Sequence, residues 1–232
     1  MAGNFRYRTQ ENEVLARIIT IAQQKGGAGK TTMAAHLAVT FASSGQQRVA
    51  IIDIDPQGSL GQWYQLREKR LGQSATGMTF ARISGWRVTH EINRLRRDHD
   101  LIIIDSPPHA ELEARTAIRA ADLVVVPLQP SPMDIWATSA TIEVCKQERV
   151  PVKMVLNRVP HTARITEAIA GDMVGLAASR FGNRVAYAGS LMHGLGVTES
   201  DPHSIAANEV RALTKEISLY LNRKTKEKSK AA

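Results

Sequence analysis

The chain of 232 residues holds one cysteine, Cys145. A lone thiol makes no intramolecular disulfide, and it cannot supply the several thiolates of a zinc or iron–sulfur site. A reducing, cytoplasmic compartment is the expectation. Long apolar runs are missing as well. The longest are Val49–Ile52, Leu101–Ile104 and Leu123–Val126, far short of the about 20 residues that cross a bilayer. Met1–Arg17 mixes charged and polar residues and does not read as a secretory signal. Aromatic residues are few, but hydrophobic residues reach 43% and charged residues 22%. That balance excludes collagen-like and fully disordered chains. No internal repeat and no long Pro-, Gly- or Ser-rich linker divides the sequence. The short patch Pro127–Pro132 follows an apolar run and reads as a loop at a strand end.

What is present is positive charge. The formal net charge is +8, which invites an anionic partner: nucleic acid, acidic lipid or nucleotide. Much of it sits at the end, where Arg223–Lys230 carries five basic residues and one acid. An isolated tail of this kind reads most simply as a frayed, solvated terminus.

Apolar, β-branched runs recur at Ile18–Ile21, Val49–Ile54, Leu101–Asp105, Leu123–Pro127 and Val152–Leu156. None alternates with polar residues, so each predicts a strand buried on both faces. Helical spacing appears between them, at Thr31–Ala42, Gly58–Arg70, Gly85–Arg97, Ser131–Gln147 and Ile165–Ser179. A last helix is expected from Ile205 to Leu221, with Val210, Leu213, Ile217 and Leu221 as its core stripe. Strand–helix alternation of this kind predicts an α/β fold: a mostly parallel, twisted sheet with helices on both faces, in three α/β/α layers. Ligands of such sheets bind at the C-terminal strand ends.

The first apolar run leads into Gln24-Lys25-Gly26-Gly27-Ala28-Gly29-Lys30-Thr31-Thr32 and then into an alanine-rich helix. Strand, glycine loop, Lys-Thr pair and helix make a phosphate-binding loop. Gly26, Gly27, Ala28 and Gly29 would turn backbone N–H groups toward one anion, helped by the positive helix end. Lys30 would bridge the β- and γ-phosphates, the Thr31 hydroxyl would ligate Mg²⁺, and Thr32 completes the nucleotide-binding stretch. The generic spacing is not met, because Gln24 stands where its first glycine belongs, and a second lysine, Lys25, heads the loop.

Lys-Gly-Gly-Ala-Gly-Lys-Thr-Thr resembles the deviant Walker A motif of the ParA/MinD family of ATPases, which have the P-loop NTPase fold. The resemblance implies ATP and Mg²⁺ as cofactors and Lys25 as the signature lysine, reaching the phosphates of a second subunit. Other motifs extend it. Asp53-Ile54-Asp55-Pro56-Gln57 resembles the family's second acidic motif. On that match Asp55 orients the attacking water and Asp53 supports the Mg²⁺ shell, the alternative being a helix cap and turn. Asp105-Ser106-Pro107-Pro108 resembles its Walker B end, making Asp105 a metal residue through a bound water. Pro127-Leu128-Gln129-Pro130-Ser131-Pro132-Met133-Asp134 resembles a segment beside the dimer face, and Asp134 also reads as a helix-start residue. Asn157 ends a strand where relatives place a side chain against adenine, or it forms a turn.

The resemblance runs from about Ile18 to about Leu221 and is strongest with small ParA proteins. It divides the chain into an extension (1–16), an ATPase domain (17–222) and a basic tail (223–232). Cluster-carrying relatives need paired cysteines. MinD ends in an amphipathic membrane helix, whereas Asn222–Lys230 has no apolar residue. The implied function is a weakly hydrolysing ATPase switch that forms a homodimer with ATP, binds nucleoid DNA without sequence readout and positions a cargo. A ParB-like or other adaptor would stimulate hydrolysis. Arg211, Lys215, Arg223, Lys224, Lys226 and Lys228 are the DNA-binding candidates. The basic cluster Arg94, Arg96 and Arg97 reads as a solvated helix face. A membrane-cycling regulator and a metabolic P-loop synthetase remain as alternatives.

Overall fold

The computed structural model describes residues 15–85, 87–108, 111–160, 173 and 175–231. Six strands form one sheet: β1 (Arg17–Ile21), β2 (Val49–Asp53), β3 (Met78–Arg82), β4 (Leu101–Asp105), β5 (Leu123–Leu128) and β6 (Val152–Leu156). Their order is β3-β2-β4-β1-β5-β6, and every neighbouring pair is parallel. The helices are α1 (Lys30–Ala42), α2 (Ser59–Leu71), α3 (Arg87–Asp98), α4 (Glu111–Ala120), α5 (Pro132–Gln147), α6 (Val185–Leu191), α7 (Val197–Ser200) and α8 (Ile205–Ala231).

Alternation along the strands explains the three layers. Ile19, Ile21, Ile51, Ile103 and Val125 pack on one face with α1, α2 and α8. Ile18, Ile52, Ile102 and Ile104 pack on the other with Val88, Ile92 and Leu95 of α3. Both faces are buried, so both sets of alternate positions are aliphatic and no polar alternation survives in the sequence. The stripe Val210, Leu213, Ile217 and Leu221 docks α8 on the first face.

Several expectations need correction. Strand β3 and helices α4, α6 and α7 were not foreseen. The helix expected over Ile165–Ser179 lies mostly outside the described residues, and its described end is not helical. There Leu176 bridges in parallel to Met154, and the Ala177 N–H donates to the Met154 carbonyl at 2.7 Å. The basic tail is helix rather than frayed chain: α8 continues past Leu221 to Ala231. Finally, β2 stops at Asp53, one residue short of the expected run to Ile54, so Asp55 lies beyond the strand. The Asp53 carboxylate accepts the Asp55 N–H at 3.0 Å, and the chain turns there.

Candidate nucleotide-binding site

The parallel sheet brings the ends of β1, β2 and β4 side by side. Asp53 and Asp105 are register partners across β2 and β4, and Ile21 is the partner of Asp105 across β1. The loop after β1 therefore opens directly beside two carboxylates. Gly27 and Gly29 take φ of +73° and +96°, a region where a side chain is strained. Among the described residues, a Cβ built on Gly26 or Gly27 would meet nothing within 4 Å, so they leave the cradle open above them. The loop runs into the N-terminus of α1, which adds amide donors and positive potential.

Lys30 is 7% exposed. Burial lowers its ammonium pKa, opposed by the charges of Asp105 and Asp55. The Thr31 hydroxyl donates to Asp105 Oδ2 at 2.6 Å. The other oxygen, Oδ1, is buried with no hydrogen-bond partner among the described residues. Burial pushes the Asp105 carboxyl up to about 7, against the Thr31 bond, with Asp53 raising it further. Asp53 is fully buried, and burial raises its pKa too. Its two oxygens accept the N–H groups of Asp55 and Gly61 at 3.0 and 2.9 Å. Asp55 is half-buried in the turn, where its Oδ1 accepts the Gln57 N–H at 2.9 Å.

These residues fit a phosphate chain with a hard cation. The cradle supplies amides and an ammonium. Thr31 and the unpartnered Asp105 oxygen supply oxygen donors, with room for waters that Mg²⁺ retains. No cluster of three or more His, Cys, Asp or Glu side chains among the described residues could hold a metal by itself. A cation here would have to share its ligands with phosphate and water.

Lys25 lies on the far side of the loop, where its Nζ donates to Asp134 Oδ2 at 2.6 Å within the same chain. Asp134 is buried at the start of α5. Ser131 caps that helix by accepting the Asp134 N–H, Pro132 follows, and the Ser131 hydroxyl donates to Asp134 Oδ2 at 2.6 Å. Burial raises the Asp134 carboxyl, but the Lys25 and Ser131 bonds outweigh it and leave it below the ordinary value.

Asn157 is not free to read a base with its whole amide. It is buried, its Nδ2 donates to the Ala28 carbonyl at 2.8 Å, and its Oδ1 accepts the Arg158 N–H at 2.9 Å. It braces the loop from behind, and a Cβ on Gly29 would come within 2.3 Å of Nδ2. Sequence reasoning also missed Gln23. It is buried and bonds Thr138 and Thr141 of α5 at 2.8 and 3.3 Å, tying the loop head to that helix. A polar side chain between a buried strand and the glycines was the available signal.

The DNA candidates all lie on α8. Arg211 and Lys215 are exposed on α8, and Arg211 Nη1 donates to the Pro202 carbonyl at 2.7 Å. Arg223 and Lys224 are exposed where α8 leaves the core. Lys226 and Lys228 lie on the helical backbone, and their side chains are outside the described residues. No helix among the described residues is long and apolar enough to cross a membrane.

A parallel three-layer fold with a glycine cradle, a buried lysine and a Thr–Asp pair at its strand ends defines a phosphate-loop nucleotide-binding protein. More narrowly, the chain belongs to the CobQ/CobB/MinD/ParA nucleotide binding domain family, which its residues 19–185 match. It is similar to the maintenance of carboxysome distribution protein A of Halothiobacillus neapolitanus, 24% identical over 210 residues, covering 86% of this chain and 95% of that protein. The fold matches an ATP complex of Cyanothece McdA at TM-score 0.69 and 17% identity, covering 88% of this chain and 96% of the other. It also matches the septum site-determining protein MinD of Pyrococcus horikoshii with Mg-ADP, at TM-score 0.72 and 20% identity over 88% and 96%.

Proposed function

We propose that this protein is an ATP- and Mg²⁺-dependent switch ATPase that dimerises, binds DNA without sequence readout and positions a cargo. The single observation that carries this reading is the paired arrangement at the loop: two lysines, Lys25 and Lys30, with Thr31 held on a carboxylate whose second oxygen has no partner among the described residues. Binding of relatives to ATP and Mg-ADP supports the same ligand here.

Lys30 and the amides from Gly26 to Thr32 hold the phosphates. Thr31 and Asp105 hold the cation, Asp105 through a bound water, with Asp53 behind them fixing the turn. Mg²⁺ when bound neutralises charge on the phosphoryl oxygens. Asp55 orients the attacking water. Lys25 leaves Asp134 and reaches the phosphates of the partner subunit, where a second ammonium stabilises the transferred group. Turnover by one protein alone is slow, because an adaptor completes the site. The dimer doubles the number of DNA-phosphate contacts made by Arg211, Lys215, Arg223, Lys224, Lys226 and Lys228, so retention rises steeply and falls with salt. Hydrolysis releases the dimer from the nucleoid within the cytoplasm.

Co-sedimentation with DNA and with acidic liposomes, each with ATP, ADP or neither, tests this. The expected result is retention on DNA with ATP alone, lost together with self-association in Lys25→Ala. Retention on liposomes in place of DNA assigns a membrane-cycling regulator. Retention on neither overturns the reading.

A further inference from the structure

Arg82 ends β3 opposite Asp53 in the β2–β3 register. The ladder runs one step further, the Ile83 N–H donating to the Asp53 carbonyl at 3.0 Å. This fixes where the Arg82 guanidinium emerges, beside the turn that carries Asp55. Nη2 donates to the Pro56 carbonyl at 3.0 Å. The guanidinium also lies against Gly58: a Cβ built there would fall 2.6 Å from Nη2 and 2.7 Å from Cζ. Gly58 has φ +66° and stands at the N-cap of α2. A left-handed glycine and an arginine thus meet where the turn becomes helix.

The turn's other bonds are local. The N–H groups of Gln57 and Gly58 return to Asp55, on Oδ1 and the carbonyl, both at 2.9 Å. Such bonds shape a turn without fixing it relative to the sheet. Asp53 anchors its first residue, and Arg82 reaches its crest from the neighbouring strand. We infer that Arg82 is a positioning residue for Asp55: it pins the Pro56 carbonyl and roofs Gly58, so that the Asp55 carboxylate is held over the phosphate site. This rests on the role proposed for Asp55. Arg82 touches no reacting atom, and its effect is on geometry. A shift of about 1 Å in an orienting group is enough to slow chemistry strongly.

The test uses the full chain with Arg82→Ala, Arg82→Lys and Asp55→Ala. In Arg82→Ala, kcat for ATP hydrolysis should fall about ten-fold while KM for ATP stays within about two-fold. Arg82→Lys keeps one donor for Pro56 and should recover most of the rate. Hydrogen–deuterium exchange at Gln57 and Gly58 should quicken in the alanine variant and less in the lysine variant. The inference is overturned by unchanged kcat and unchanged exchange in Arg82→Ala, or by equal losses in both variants alongside a lowered melting temperature. If the wild type does not hydrolyse ATP, or Asp55→Ala leaves hydrolysis intact, the proposed function fails instead. Exchange at the turn then still decides whether Arg82 holds it.

Discussion

Two buried, charged clusters flank helix α1, and they differ in how completely their groups are partnered. Behind the helix, Arg67 Nε donates to the Thr76 carbonyl at 2.8 Å, and Nη1 and Nη2 each meet Glu199 at 2.8 Å. Glu199 also accepts the Gly196 N–H. His36 is fully buried, and its Nδ1 accepts the Val197 N–H at 3.1 Å. The proton is therefore on Nε2, which donates to the Tyr187 carbonyl at 3.3 Å. At the helix N-terminus, by contrast, Asp105 Oδ1 has no partner among the described residues. A buried polar group left unpaired is costly unless a ligand completes it. Burial of charge therefore means cohesion in one cluster and receptivity in the other.

Five substitutions sharpen that contrast. The largest is Lys30→Ala, expected to cut phosphate release by about 10²–10³-fold, with folding intact by circular dichroism. Next is Arg67→Met, which strands a Glu199 carboxylate that is only 26% exposed. Urea denaturation should show a loss of about 3 kcal/mol, with ATP affinity of the folded fraction unchanged.

The third concerns pH. Burial lowers His36 to about 4 from its ordinary value of 6.5. The unfolded chain then binds more protons, so this contribution is complete above pH 6.5 and is lost as pH falls toward 4. His36→Asn should flatten the dependence of the melting temperature across that interval. Asp105 has the opposite sign. Its folded value, near 7, lies above the unfolded one, so nucleotide-free stability falls as pH rises from about 4 to 7. Asp105→Asn should accordingly stabilise the nucleotide-free protein at pH 8, by about 1–3 kcal/mol in calorimetry, while losing Mg²⁺-dependent turnover. The smallest effect is expected of Asn157→Ala, about 1 kcal/mol in stability and a few-fold weaker ATP binding by titration, since one bond to the Ala28 carbonyl is lost.

Much of this was legible in the chain. Parallel strands buried on both faces need aliphatic residues at both sets of positions, so β1, β2, β4 and β5 stand out, and so does β6, an edge strand whose end Met154–Leu156 is buried. The glycine loop is legible for a different reason: its φ values and open cradle demand residues with little or no side chain. Strand β3 was hidden because it is an edge strand whose Thr79 and Arg82 are exposed. The bond from Asn157 to Ala28 was hidden because its partner is a carbonyl 129 positions away, which no local pattern encodes. Asp53 carries the same lesson: the strand-end pattern does not encode the backbone amides of Asp55 and Gly61 that its two oxygens accept.

By itself the sequence determined the layers, the loop and the identity of its charged groups, because hydrophobic period and glycine placement are local demands. Only the tertiary structure decided which of those charges are already answered. Among the described residues Lys25 meets Asp134, Asn157 meets Ala28, and one oxygen of Asp105 meets no partner. Partnership inside a low-dielectric core depends on distances of a few ångströms between segments far apart in the chain, and parallel strand order fixes those distances.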